Sequence, residues 1–243
     1  MEWTDSGFIA GTRRHGETSL IIEAFTPAHG RHMGLVRGGR GKRWRGVLQP
    51  GNRVRLTWRA RLSEHLGRFT VEAEASLAAE IMAEPLALAA LNSLNAMVRL
   101  LPERDPHPPL FALYEAVVEA LPENGGWLGN LARFELALLG ELGFGLDLES
   151  CVATGANDHL AYVSPKSGRA VSLSAGAPYK DKLLALPRFL RDEAAAPADV
   201  DDLVAAFRLT RFFLHRDVYA PRGVSPPESN ERMIRLLLKA AHG

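Results

Sequence analysis

The stretch Arg53-Val54-Arg55-Leu56-Thr57-Trp58-Arg59-Ala60-Arg61 decides the fold of the first part of this chain. Its apolar and polar residues alternate strictly, so a β-strand turns Val54, Leu56 and Trp58 to one face and four arginines to the other. Residues 68–74 alternate in the same way, and residues 8–12, 18–25 and 30–37 are typical of three earlier strands bounded by turn signals. Five short strands in about 75 residues predict a small closed barrel, and the OB-fold is the five-stranded barrel that most often binds nucleic acid.

The hydrophobic period changes to that of α-helices from about residue 80 onward. The segments with this period are residues 84–101, 110–121, 127–142, 199–219 and 225–241. Residues 151–178 lose it and contain turn signals, which is typical of an irregular hairpin. The sequence therefore predicts an α+β multidomain chain. An OB-fold β-barrel, a candidate nucleic-acid-binding domain, occupies residues 1–78, and an α-helical domain with the hairpin as an insert occupies residues 79–243.

The composition excludes several classes of protein. Of the 243 residues, 47% are apolar and 23% are charged, which is ordinary for a globular chain and excludes a disordered or fibrous one. A single cysteine excludes a disulfide scaffold and suits a reducing cytosol. The first residues lack the basic and apolar regions of a signal peptide, and no apolar stretch reaches the length of a membrane span. We therefore expect a cytoplasmic protein that does not contact membranes.

The charge is distributed unevenly along the chain, although the net charge is only +1. Residues 1–70 hold 13 basic and 5 acidic side chains, whereas the rest holds 16 basic and 23 acidic ones. Between Glu23 and Glu64 there are ten basic residues and no acidic residue. Such asymmetry indicates that the first part binds a polyanion, and a solvated basic face without a ligand is the alternative.

The glycine-rich segment 38–46 is the most specific candidate site. Its glycines let a ligand approach the backbone, its cations can neutralise phosphates, and Trp44 offers a ring on which an unstacked base can lie. The alternative is a flexible loop that binds no ligand and whose charges make it soluble. With its neighbouring strands, the segment supplies these candidate DNA-binding residues: Arg37, Arg40, Lys42, Arg43, Trp44, Arg45, Arg53, Arg55, Arg59 and Arg61.

Signatures of catalysis are missing from the sequence. It contains no P-loop, no GxGxxG after a strand, no GxSxG elbow and no HExxH motif. His29 and His32 have a spacing that metal ligands can use, but no third ligand lies near them in the sequence. We therefore expect no enzymatic activity, no cofactor and no metal.

A set of short motifs runs through the chain in a fixed order. In the first half these are HGE at 15–17, FTPAHG at 25–30, RGGR at 37–40 and LQPG at 48–51. In the second half they are FELALL at 134–139, LGFGLDL at 142–148, Cys151, YVSP at 162–165 and GRAV at 168–171. Together they resemble the RecO family of bacterial recombination-repair mediators, and the resemblance covers nearly the whole chain.

The chain departs from the family pattern at the hairpin. Many members carry two CxxC pairs there, and four thiolates are the ligand count of a tetrahedral structural zinc. Here only Cys151 remains, because Thr154, Ser172 and Ala175 stand at the other three positions. We therefore expect a degenerate zinc-finger-like insert without zinc, held by packing alone.

The resemblance implies a non-enzymatic DNA-binding mediator. RecO-like proteins bind single- and double-stranded DNA, anneal complementary strands and pair with RecR. They also help RecA load onto DNA coated by single-stranded-DNA-binding protein, and such a role places the chain at the bacterial nucleoid. Two other functions stay open: an OB-fold RNA-binding protein of the translation apparatus, and an interaction scaffold whose basic strand binds an acidic protein.

Two rows of basic residues in the helical domain suggest a partner surface. The first row has helical spacing and consists of Arg208, Arg211 and His215. The second has the same spacing and consists of Arg232, Arg235 and Lys239. Side by side, these rows would flank an apolar groove suited to the acidic C-terminal tail of single-stranded-DNA-binding protein. Two independent solvated faces are the alternative.

Overall fold

The computed structural model describes residues 1–123, 126–192 and 194–242. Its internal contacts divide the chain into two compact units, Met1–Gly125 and Gly126–Gly243. The first unit contains a β-barrel followed by helices, and the second contains helices and a small sheet. Among the helices in these described ranges, none has both the length and the apolar character that a bilayer span requires.

The barrel confirms the predicted OB-fold architecture. Its five strands are β1 (Glu2–His15), β2 (Ser19–Thr26), β3 (Gly30–Val36), β4 (Arg53–Arg59) and β5 (Arg68–Ala75). They close in the order β1-β2-β3-β5-β4. All neighbouring pairs are antiparallel except β3 and β5, which meet in parallel where Leu35 lies opposite Arg68.

Strand β1 is longer than the sequence predicts, because it belongs to two parts of the barrel. Its first half pairs with β4 and its second half pairs with β2, and the register shifts between Ile9 and Gly11. Such a shift bends a strand and increases its twist, which lets one strand serve both sides of a closed barrel.

The predicted inward face of β4 forms the barrel core. Val54, Leu56 and Trp58 are buried, and the Trp58 indole donates a hydrogen bond to the Leu66 carbonyl at 3.0 Å. Gly67 is required beside this ring, because its φ is +63° and a Cβ there would lie 2.3 Å from the Trp58 Nε1 atom. The prediction that the strand reaches Arg61 is wrong, since β4 ends at Arg59 and a loop follows it.

Helices α1 (Ala78–Ala83), α2 (Pro85–Val98) and α3 (Pro108–Ala120) follow the barrel within the first unit. The Tyr114 ring of α3 packs at 5.7 Å from Phe8 and at 5.2 Å from Phe25, two aromatic residues of the barrel strands. The predicted boundary at residue 78 therefore falls inside this compact unit, at the end of the last barrel strand, and it stays a prediction.

The second unit is helical with a small sheet, as the sequence predicts. Its helices are α4 (Leu128–Glu141), α5 (Leu173–Gly176), α6 (Val200–Phe213) and α7 (Glu228–His242), and a π-helical turn (Leu214–Tyr219) continues α6. Asp199 caps α6 by accepting a hydrogen bond from the Asp202 backbone at 2.9 Å. The hairpin consists of β6 (Leu160–Val163) and β7 (Ala170–Ser172), and a third strand, β8 (Leu184–Ala185), lies beyond the predicted range.

Candidate nucleic-acid interface

The glycine-rich segment between β3 and β4 has a hydrogen-bonded backbone. Gly38 takes a left-handed φ of +64°, and the Arg40 amide donates to the Thr18 carbonyl at 2.9 Å. A 3-10 turn (Lys42–Trp44) follows, and the Leu48 amide donates to the Trp44 carbonyl at 2.9 Å. This anchoring differs from the flexible loop considered as an alternative, and it fixes the direction in which the cationic side chains leave the backbone.

Three cavities lie along this segment and the barrel, and each shares lining residues with the next. The first has a volume of about 600 Å³ and shares Leu35 and Arg68 with the second, which in turn shares Trp44 with the third. We call this surface the basic groove, since these cationic side chains line it: Arg14, Arg37, Arg40, Arg43, Arg45, Arg59, Arg61 and Arg68.

Most cations at the groove and its adjoining turn are exposed and have no carboxylate partner. Within the described part of the chain, no ion pair involves the exposed residues Arg14, Arg37, Lys42, Arg43, Arg45, Arg61 and Arg68. Unpaired cations that line a concave surface concentrate positive potential there. Phosphate groups are therefore the ligand that this surface fits best.

Two arginines of the groove were not among the predicted site residues. Arg68 continues the period-two pattern of β5 and is exposed, and Arg14 lies near the end of β1. The alternation in residues 68–74 could have identified Arg68, because its neighbour Phe69 is an inward position. The sequence did not indicate Arg14 as a site residue, because residues 14–16 (RHG) are typical of a turn.

The prediction that Arg53 is available to DNA is corrected by the structure. Its guanidinium is bound by three carboxylates, those of Glu74 at 3.4 Å, Glu119 at 2.7 Å and Glu115. Partial burial opposes ionisation, but the carboxylates of Glu115 and Glu119 dominate and raise the pKa of Arg53. Arg53 therefore connects β4 to β5 and α3, and its charge is already neutralised.

The other two strand arginines differ from each other. Arg59 lines the basic groove and forms an exposed ion pair with Glu2 at 2.7 Å, which competes with a phosphate only weakly. Arg55 is exposed but lies opposite Glu72 in the register of β4 and β5, away from the residues that line the groove. The four arginines of the predicted stripe therefore differ in their surroundings. Arg53 and Arg55 lie beside acidic residues, whereas Arg59 and Arg61 line the basic groove.

The sequence offers the Trp44 ring as a stacking surface for a base, and the structure leaves this ring only partly exposed. Trp44 is half-buried and packs against the barrel core, and its indole nitrogen is buried without a hydrogen-bond partner. The Arg43 guanidinium lies over the ring at 4.8 Å from its centre. Arg40 is also partly engaged, since its side chain donates to the carbonyls of Gly16 and Glu17. Arg43 therefore covers part of the Trp44 ring, which also lines two cavities of the basic groove.

The predicted basic row on α6 also needs a correction. Arg208 and His215 are exposed, but Arg211 turns inward and pairs with Glu135 at 2.9 Å. Glu135 is completely buried, and Arg211 also donates to the Asn230 carbonyl at 2.6 Å. Arg211 is therefore a structural residue that holds α4, α6 and the start of α7 together. The second row is exposed, as expected, at Arg232, Arg235 and Lys239.

The hairpin brings the four predicted positions of the family's zinc ligands close together through hydrogen bonds. The Ser172 amide donates to the Cys151 sulfur at 3.2 Å, and the Ala175 amide donates to the Ser172 hydroxyl at 3.4 Å. Burial raises the pKa of the Cys151 thiol, but hydrogen bonds from Ser172 and Thr154 outweigh it and lower the pKa to about 6. The expectation that packing alone holds this insert is therefore wrong.

Metal-ligating side chains do not cluster anywhere in the described residues. No group of three or more His, Cys, Asp or Glu side chains in that part of the chain could hold a metal ion. His29 interacts with Asp5 instead, at 3.1 Å between Nδ1 and the carboxylate.

Comparison with known proteins identifies the family. The family model described as Recombination protein O N terminal matches residues 1–76, and the one described as Recombination protein O C terminal matches residues 82–226. A DNA repair protein RecO from Rhizobium etli is 55% identical over 242 residues, which cover 99% of this chain and 94% of the relative.

Two further relatives of the same name agree with this assignment. The protein from Methylobacterium nodulans is 53% identical and covers 97% of this chain and 98% of its own length. The protein from Chelativorans sp. is 55% identical and covers 98% of this chain and 96% of its own length. The chain therefore belongs to the RecO family, as the resemblance predicts.

Proposed function

We propose that this protein is a non-enzymatic DNA-binding mediator of recombinational DNA repair. It binds single- and double-stranded DNA along the basic groove and anneals complementary strands. With RecR, it loads RecA onto DNA coated by single-stranded-DNA-binding protein, and it does so in the cytoplasm at the nucleoid. The observation that carries the DNA-binding role is the row of exposed arginines without carboxylate partners along the groove. The named partners are those that the family resemblance implies.

The chemistry of the groove suits annealing, because it binds phosphates and leaves base edges free. Each phosphate contact releases condensed counterions, so binding is independent of base sequence and weakens as salt rises. Two strands bound through their phosphates repel each other less, while their bases remain open to pair. No bond is made or broken in this process, so no nucleophile or general base is required.

The partner surface is a separate proposal in the second unit. Arg208 on α6 and Arg232 on α7 are exposed and carry charge that an acidic peptide can use. We expect Arg208→Glu with Arg232→Glu to abolish binding of the acidic tail peptide of single-stranded-DNA-binding protein and to leave binding of naked DNA unchanged. The matched control reverses Lys166 and Lys182, two exposed lysines of the same unit. Equal loss in the control would contradict this surface.

A salt titration of single-strand binding tests the central proposal. We expect Arg37→Ala, Lys42→Ala, Arg43→Ala and Arg45→Ala together to weaken binding of every oligonucleotide alike. The slope of log K against log salt should fall by about 0.7 for each phosphate that the variant no longer neutralises. The matched control replaces four exposed cations of the second unit by alanine: Lys166, Lys180, Lys182 and Arg222.

The same titration separates the alternatives. Tighter binding of structured RNA than of oligothymidylate would favour the RNA-binding function. Binding of an acidic protein together with failure to bind either nucleic acid would favour the scaffold. An unchanged slope in the folded fourfold variant would show that the DNA-binding site lies elsewhere.

A further inference from the structure

A further cavity in the first unit, of about 450 Å³, has four ring-bearing side chains in its lining: Trp3, His29, His32 and Trp58. Trp3 stacks on His29 with ring centres 3.9 Å apart and an interplanar angle of 9°. Trp3 also lies 6.0 Å from Trp58 and 5.1 Å from His32, again in stacked orientations. Ser63 and Arg104 complete the wall, and we call this cavity the ring pocket.

His32 belongs to the lining of the ring pocket and is almost completely buried. Its side chain is buried, with 2% of the residue exposed, and its Nδ1 atom has no hydrogen-bond partner. Desolvation by burial lowers its pKa to about 4, so the ring is neutral at physiological pH. A buried polar atom without a partner costs about 1–3 kcal/mol, so a partner that reaches Nδ1 after a small movement of the His32 ring would stabilise the barrel.

Arg104 stabilises the wall that separates the ring pocket from the basic groove. Its backbone has a left-handed φ of +66°, a strained conformation for a residue other than glycine. Its guanidinium donates to the carbonyls of Ser63 and His65, the latter at 2.9 Å. Ser63 lines the ring pocket, and His65, two residues later in the same loop, lines the basic groove.

We propose that the ring pocket binds one unstacked nucleobase of a single strand whose phosphates lie in the basic groove. This inference rests on the proposed function and adds the part of the nucleotide that the groove does not bind. The partly exposed Trp3 ring in the wall of the pocket suits a flat heteroaromatic ring. The shared loop wall places the pocket beside the groove, so one strand can use both. The ring pocket thus takes the role that the sequence assigned to Trp44.

The test compares a short oligothymidylate with a strand of equal length in which abasic spacers replace the bases. Both strands carry the same phosphates, so the ratio of their dissociation constants isolates the contribution of the bases. We expect the protein to prefer oligothymidylate by about tenfold, within the roughly 5- to 150-fold range of a stacked base. Trp3→Leu should bring this ratio close to one. Tyr179→Leu is the matched control, because it removes an exposed aromatic ring that lies in the second unit, and it should keep the preference.

A second measurement uses the unaltered protein, so that it does not depend on the folding of any variant. The imidazole signals of His32 in an NMR spectrum should shift with oligothymidylate and stay in place with the abasic strand. Equal affinity for both strands, or a preference that survives Trp3→Leu, would overturn the ring pocket and leave the groove intact. Failure to bind either strand would instead overturn the proposed DNA-binding function.

Discussion

Arg53 and Arg68 lie on neighbouring strands of the barrel, yet we expect their replacement by alanine to change different properties. Arg53→Ala should lower the stability of the fold, and Arg68→Ala should weaken DNA binding. Arg53 is bound by the carboxylates of Glu74, Glu115 and Glu119, and its side chain is 30% exposed. Arg68 is exposed, lines two cavities of the basic groove and takes part in no ion pair of the described residues. Arg53→Ala therefore tests a structural role, and Arg68→Ala tests a role in DNA binding.

The magnitudes follow from these contacts. A partly exposed ion pair contributes about 0.2–1 kcal/mol, so three pairs on one guanidinium give a loss of about 0.6–3 kcal/mol in the free energy of unfolding for Arg53→Ala. The salt dependence of DNA binding should not change. Arg68→Ala should change the free energy of unfolding by less than about 0.5 kcal/mol, since an exposed residue without an ion-pair partner is removed. Its salt slope for single strands should fall by about 0.7.

Urea unfolding and fluorescence anisotropy over a series of salt concentrations measure the two quantities on the same preparations. The reasoning is refuted if Arg53→Ala lowers the salt slope as much as Arg68→Ala does. It is equally refuted if Arg53→Ala unfolds at the same urea concentration as the unaltered protein. The first result would mean that the three carboxylates do not retain Arg53 when DNA is present, and the second would mean that these ion pairs do not stabilise the fold.

Three further predictions concern groups outside the groove. Cys151→Ala should lower the free energy of unfolding by about 1–3 kcal/mol, because the buried Ser172 amide loses its acceptor, whereas a zinc chelator should leave the melting temperature of the unaltered protein unchanged. Arg211→Met should cost about 3–5 kcal/mol in urea unfolding, because it leaves the fully buried Glu135 without its cation. Burial lowers the pKa of His32 from 6.5 to about 4, so the unfolded chain binds a proton between these pH values that the folded barrel does not. Stability should therefore fall by on the order of 3 kcal/mol as the pH drops through this window, and His32→Phe should remove that component.

The barrel was predictable because its strands carry a local signal. Alternation in residues 53–59 requires only that one face meets the core, and each of the five strands has this pattern or a turn signal beside it. The first part of β1 was missed, since Glu2–Asp5 pairs with β4 without forming a clear apolar face. The small sheet was predicted only as a hairpin, because β8 is two residues long and has no pattern of its own.

The site was predicted only in part, because residues far away in the sequence determine whether a cationic side chain forms an ion pair. Arg53 is neutralised by Glu115 and Glu119, more than 60 positions along the chain. Arg211 turns inward because the carboxylate of Glu135, on another helix, is completely buried and is stabilised there by a cation. Helical spacing placed Arg211 on the same face as Arg208, but spacing does not show which of two neighbours faces a buried carboxylate.

The stretch without acidic residues between Glu23 and Glu64 therefore does not form a surface without acidic residues. Folding brings Glu23 and Glu103 to Arg31, and it brings the carboxylates of β5 and α3 to Arg53. The same process adds Arg68, which lies outside the stretch, to the groove. Strands β3 and β5 meet in parallel at Leu35 and Arg68, where neither strand supplies a carboxylate to the first two cavities. Arginines without an ion-pair partner among the described residues line the cavities where β3 and β5 close the barrel. The closure of the barrel, rather than the stretch without acidic residues, therefore determines where a polyanion can bind.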